Sequence, residues 1–254
     1  MDKVACTSLS DFVTDNKALH QQDPERYEYD VALMLLQLCN AVHHLESNHI
    51  ALQTINLKQI FLVKTNLPTS DRKPVLNHLF SELDQSEEPE GRSEVNLGVM
   101  TYEMLHLPNP FVAGSYLTTR PCSASALPSI PNKSKYSRCL NHLATQFLTT
   151  NSSSRLTANQ AALALQTMLW GPQVEQLPLD TKDPKALEQA LQQWLLLEQA
   201  RVVNKAAESS VGHQGTKTSD STFGLRDLLQ CQYLSKATVN SLKEGLKLLY
   251  FAKN

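Results

Sequence analysis

Glycine is scarce in this chain. There are eight among 254 residues and none falls in the order G-x-G-x-x-G, so no glycine-rich loop is available to cradle phosphates. No stretch approaches eighteen consecutive apolar residues, and VALMLLQLC is too short to span a bilayer, so no membrane insertion is expected. Five cysteines, Cys6, Cys39, Cys122, Cys139 and Cys231, are odd in number, widely spaced and free of any C-x-x-C pair. They read as free thiols in a reducing compartment, which empties the N-X-S matches at Asn132 and Asn151 of meaning. A formal net charge of -2 with scattered Lys and Arg provides no field to attract nucleic acid or acidic membrane. The opening MDKVACTSLSDF has neither the basic region nor the apolar run of a secretory signal. A cytoplasmic protein is expected.

What is present suffices for a fold: 41% hydrophobic residues in 28.4 kDa can bury one sizeable core and a smaller second unit. From Tyr27 to Ser47, apolar residues at Val31, Leu35, Leu38, Val42 and Leu45 follow the 4-3-4-3 spacing of a helix face. Ile60 to Lys64 and Pro74 to Phe80 read as two short strands around a turn rich in Asn, Pro, Ser and Asp. A further helix is expected from Ser93 through Leu105, and another after Arg155, with Ala158, Ala161, Leu165, Met168 and Leu169 on its apolar side. In the last third, Lys185 to Ala207 forms a long amphipathic pattern with Leu187, Leu191, Trp194, Leu197 and the Val202-Val203 pair. Glu208 to Thr222 breaks it with Gly212, Gly215 and many polar residues, a flexible linker at about 208-222. Two helices follow, Leu225 to Leu234 and Val239 to Phe251, the second with Leu242, Leu246 and Leu249 in line.

Obvious chemistry is missing. Adjacent His43 and His44 would point about 100° apart on a helix and cannot share a metal, and neither Cys nor carboxylate recurs near them at ligand spacing. The Ser-rich run from Asn151 to Ser154 lacks a G-x-S-x-G context. No metal and no cofactor is expected. Tyr27 and Tyr29, in PERYEYD, sit in an acidic setting at a helix start and are candidates for phosphorylation, with packing as the more common role of such aromatics.

The segment Ile50 to Val63, IALQTINLKQIFLV, has the outline of a protein-kinase catalytic loop with its catalytic residues removed. Laid on H-R-D-x-x-x-x-N, Leu52 stands at the His, Gln53 at the Arg, Thr54 at the base Asp and Gln59 at the metal-binding Asn. Leu79-Phe80-Ser81 stands at Asp-Phe-Gly. Thr54 carries no carboxylate to accept a hydroxyl proton, and Leu79 offers Mg²⁺ no oxygen. Gln59 keeps an amide oxygen, but capping and packing of the loop is the favoured role. Ser93 sits where a kinase has an anchoring Asp, Gly98 lies within the central helix, and Glu88-Pro89-Glu90 stands as the remnant of A-P-E, whose Glu90 would meet Arg155. The stretch from Leu79 to Ser93 is too short for a substrate-docking platform.

SLSDFV near the start, MLHLPNPF in the middle, and LWGP followed by a helical tail containing LLQCQYLSKAT together resemble the PEAK family of pseudokinase scaffolds, which includes Pragmin. The short activation segment is most similar to that of the smallest paralogue. The resemblance implies a mainly α protein: a kinase-like C-lobe with one short β-hairpin, residues 1-172, followed by a helical dimerisation segment, 173-254. It implies no enzymatic activity and no cofactor. It also implies homo- or hetero-dimerisation with family members through Leu187, Leu191, Trp194, Leu197, Leu242, Leu246 and Leu249, and a scaffold role in tyrosine-kinase, cytoskeletal and cell-motility signalling. Adaptor proteins would be recruited through regions absent here, and the cytoskeleton or focal adhesion is a further address. The kinase N-lobe and the family's partner helix before it are missing, so the chain reads as a truncated isoform, an incomplete gene model or an expressed fragment. Two alternatives stay open: a divergent nucleotide-binding kinase lacking its N-lobe, and a helical fragment that competes with the full-length scaffold.

Overall fold

The computed structural model describes residues 6–50, 55–64, 72–76, 92–107, 127–173, 177–178, 184–211 and 225–250. Within these the chain is mainly helical, with one small antiparallel sheet in the order β1-β2-β3. Strand β1 (Cys6–Ser8) pairs with β2 (Ile60–Lys64) through Cys6 opposite Val63, and β2 pairs with β3 (Arg72–Leu76) through Ile60 opposite Leu76. Strand β2 lies where the sequence places it, whereas β3, expected over Pro74 to Phe80, begins two residues earlier at Arg72, inside the expected turn, and residues 77–80 lie outside the described residues. Strand β1 was not legible, because three residues carry no periodicity. Pro74 is tolerated in β3 because that strand forms an edge of the sheet.

Helix α1 (Leu9–Asp15) starts at Ser8, whose hydroxyl oxygen accepts the Asp11 backbone N–H at 3.0 Å. A short α2 (Lys17–Gln22) leads to α3 (Pro24–Ser47), capped by Asp23 at the Arg26 N–H, 3.1 Å, with Pro24 at its first position. The spacing predicts one apolar stripe on α3, yet Ala32, Leu33, Met34, Leu36 and Cys39 are buried as well as Val31, Leu35, Leu38 and Val42. The reason is position: α3 is contacted by α2, by β3 and by the helices Arg92–Leu105 and Ala158–Trp170, which cover more than one of its faces.

Helix α4 (Arg92–Leu105) packs on α5 (Ser137–Phe147) so closely that a Cβ at Gly98 would lie 2.7 Å from Phe147 Cβ. After a 3-10 turn at Ser152–Ser154, α6 (Ala158–Trp170) begins with a capping box. Thr157 N–H donates to Gln160 Oε1 at 3.1 Å, and Gln160 N–H donates to Thr157 Oγ1 at 3.2 Å.

The tail consists of α7 (Pro184–Val211), α8 (Leu225–Lys236) and α9 (Val239–Tyr250). Helix α7 runs four residues past Ala207, into the stretch expected as linker. Helix α9 packs on α6 and α7, and α8 packs on α7. A Cβ at Gly245 would sit 2.0 Å from Thr167 Oγ1, so α9 crosses α6 at backbone distance. Trp170 on α6 and Tyr233 on α8 stand with ring centroids 6.0 Å apart. Burial holds the imidazole of His142 on α5 below the ordinary value. Leu191, Leu195, Leu234, Leu242 and Leu246 therefore share one continuous apolar core with α3 and α6.

Candidate functional site

The degenerate loop emerges from α3 through His49, which holds a positive φ of 58°, and re-enters described structure at the buried Ile55. Leu52, Gln53 and Thr54 lie outside the described residues, as do Leu79, Phe80, Ser81 and Glu90. Gln59 is described. Its Oε1 accepts the Asn56 N–H at 3.2 Å and its own N–H donates to the Asn56 carbonyl at 3.0 Å, while Asn56 Oδ1 accepts the Lys58 N–H at 3.0 Å. The amide oxygen that would have been offered to a metal is spent on closing the turn.

Where α3 ends and α4 begins, sequence reasoning missed a pair of carboxylates, Glu46 and Glu94. Ser93 is buried and hydrogen-bonded to Glu46, and its neighbour Glu94 is 8% exposed with Oε2 lacking a partner. Burial first, and the Glu94 charge second, push the Glu46 carboxyl above its usual range, an effect that the Ser93 hydroxyl partly offsets. Burial and both carboxylates push the Cys39 thiol far up. Glu94 gave no sequence signal because the kinase pattern directs attention to position 93. Among the described residues no group of three His, Cys, Asp or Glu side chains could hold a metal ion.

Other expected site residues are placed as follows. Arg155 donates from Nε to the Thr149 carbonyl at 3.1 Å. Gly98 serves the α4–α5 approach. Tyr27 is 0% exposed and donates its hydroxyl to the Met104 carbonyl at 2.7 Å, the packing role set beside phosphorylation for this residue. Tyr29 is half-buried, its ring 5.8 Å from that of Tyr136. Leu191, Leu242 and Leu246 are buried within the chain, and Leu187, Trp194 and Leu249 are half-buried. Leu197 is 63% exposed, with Leu196 at 58% and Val203 at 66% on the same helix and Leu228 at 41% on α8. No helix among the described residues is long and apolar enough to cross a membrane.

A kinase-type C-lobe whose loop has lost the catalytic carboxylates and whose surviving amide is engaged internally defines a pseudokinase. No protein-family model matches the chain. Human inactive tyrosine-protein kinase PEAK1 is 31% identical to it over 285 aligned positions, covering 97% of this chain and 16% of that protein. Rat inactive tyrosine-protein kinase PRAG1 is 29% identical over 300 positions, covering 95% and 21%. A crystal structure of the pseudokinase PEAK1 superposes with a TM-score of 0.74 at 32% identity, covering 95% of this chain and 65% of that one. The chain belongs to the family of inactive tyrosine kinases that includes PEAK1 and PRAG1. It spans about a sixth to a fifth of the length of these curated relatives.

Proposed function

We propose that the chain is the C-lobe and tail of a scaffold that transfers no phosphate and acts by protein contact. It dimerises through its tail helices with a second copy or a family member, and it supports tyrosine-kinase, cytoskeletal and cell-motility signalling from the cytoplasm, the cytoskeleton or focal adhesions. Adaptors are recruited through regions outside this sequence.

One observation carries the dimer reading. Helix α7 uses Leu191 and Leu195 to join the core, yet it turns Leu196, Leu197 and Val203 outward. Burying each such side chain is worth about 1.5–3 kcal/mol, and clustered exposed apolar residues mark contact surfaces. The interface is therefore centred on Leu197, with Leu187, Trp194 and Leu249 at its half-buried margin, while Leu191, Leu242 and Leu246 hold the tail in place. Light scattering of the purified chain is expected to give a dimer mass at high concentration, alone or with a full-length relative. Leu197→Asp and Val203→Asp should lower that mass without loss of helicity, whereas Leu246→Asp should unfold the tail. A monomer at every concentration that also ignores the full-length relative would remove the reading.

A further inference from the structure

A second buried carboxylate lies far from the degenerate loop. Glu28 on α3 is 1% exposed, and its Oε2 accepts hydrogen bonds from Ser134 Oγ at 2.7 Å and from Ser137 Oγ at 2.6 Å. Its Oε1 lies 3.7 Å from Nε2 of His20 on α2. The two serines are not equivalent. Ser137 is the buried first residue of α5, and its Oγ also accepts the N–H groups of Lys133 and Ser134, each at 2.9 Å. Ser134 sits one turn earlier, half-buried, at the end of a stretch from 128 to 133 that has no regular structure and in which Pro131, Asn132 and Lys133 are exposed. Its Oγ accepts the Tyr136 N–H at 3.0 Å.

We propose that Ser134 is a phosphorylation site for a basophilic serine/threonine kinase, and that the phosphate releases the 133–137 turn from α3. An irregular, exposed approach is what a kinase needs to draw a serine into its cleft, and Lys133, Lys135 and Arg138 surround this one with positive charge. In the transfer the bond between the γ-phosphorus and the β,γ-bridging oxygen of ATP breaks and a Ser134 Oγ–P bond forms. ADP leaves with the electron pair, and the hydroxyl proton passes to the attacking kinase's base. The product has lost the proton that Ser134 donates to Glu28. A phosphate carrying close to two negative charges then faces a buried carboxylate that accepts hydrogen bonds only, and the two repel.

The turn resolves this conflict by swinging outward, toward Lys133, Lys135 and Arg138. Two contacts leave with it: the Lys135–Glu25 ion pair at 2.6 Å and the Tyr136–Tyr29 ring contact. Neither Ser134 nor Glu28 lies on the tail helices, so this inference stands or falls separately from the dimer.

The test is to incubate the folded chain with Mg²⁺-ATP and the catalytic subunits of cAMP-dependent protein kinase and protein kinase C, beside a peptide of residues 127–141, with sites read by mass spectrometry. One phosphate at Ser134 is expected, absent in Ser134→Ala. The Tm should fall by roughly 2–6 °C, and the amides of Lys133, Ser134 and Tyr136 should exchange at least tenfold faster with solvent hydrogen. In Glu28→Gln, which has no charge to repel the phosphate, the drop should shrink by half or more. If that variant does not fold, the amide exchange of the phosphorylated wild type decides. A folded chain left unmodified, whether or not the peptide is modified, would overturn the site. Phosphorylation at Ser134 that leaves both Tm and exchange unchanged would overturn the release.

Discussion

Glu46 and Glu94 meet at the junction of α3 and α4, where one carboxyl is half in solvent and the other almost sealed. Because burial and the Glu94 charge raise the Glu46 pKa in the folded state, folding favours its neutral form. The stabilising contribution is full below the unfolded carboxylate value and is lost as pH rises through the folded one. Glu46→Gln keeps the neutral form at all pH values. It is therefore expected to raise Tm at neutral pH, with the gain vanishing on acidification below the ordinary value of 4.5, as thermal melts across pH would record. The thiols give a second residue-scale test. Burial pushes the Cys39 thiol far up, and Cys39 is buried whereas Cys6 is exposed, so a thiol reagent at pH 8 should label Cys6 rapidly and Cys39 only on unfolding. None of this was legible in the sequence, since each shift comes from neighbours far along the chain.

At the scale of elements, local rules were readable and crossings were not. The α3 helix, expected from Tyr27 and beginning at Pro24, the first strand of the hairpin and the helix after Arg155 follow from periodicity. Gly245 in a strong helical pattern reads only as a weak point for the helix, yet the crossing of α9 on α6 needs it. Gly245→Ala would place a Cβ 2.0 Å from Thr167 Oγ1, and overpacking of this kind costs about 1–3 kcal/mol. Urea denaturation should show that loss, with Thr167→Ala restoring part of it by removing the hydroxyl in the way. The same logic hid the outward face of α7: the apolar pattern places Leu191 and Leu197 together, but the docking of α8 and α9 buries the first and leaves the second exposed.

For the whole molecule, a degenerate loop predicts indifference to nucleotide. A ligand raises apparent stability only by binding the native state. Millimolar ATP with Mg²⁺ should therefore leave Tm unchanged, and radiolabelled ATP should yield no incorporation above a boiled control. A saturable rise in Tm would favour the nucleotide-binding alternative. What the sequence determined by itself is the lost chemistry, because a missing carboxylate at Thr54 or a missing oxygen at Leu79 is a property of the residue and no fold can supply it. The helices beginning near Tyr27, Ser93 and Arg155 and those of the tail were also legible there, being set by neighbours a few positions apart, whereas α1, α2 and α5 were not read from the sequence. Only the tertiary structure decided that Tyr27 is sealed, that Glu28 binds two serines more than a hundred residues away, and that the tail shares the C-lobe's core. Each of these depends on which groups are brought within hydrogen-bonding or van der Waals reach across the chain, and side-chain identity and spacing leave that open.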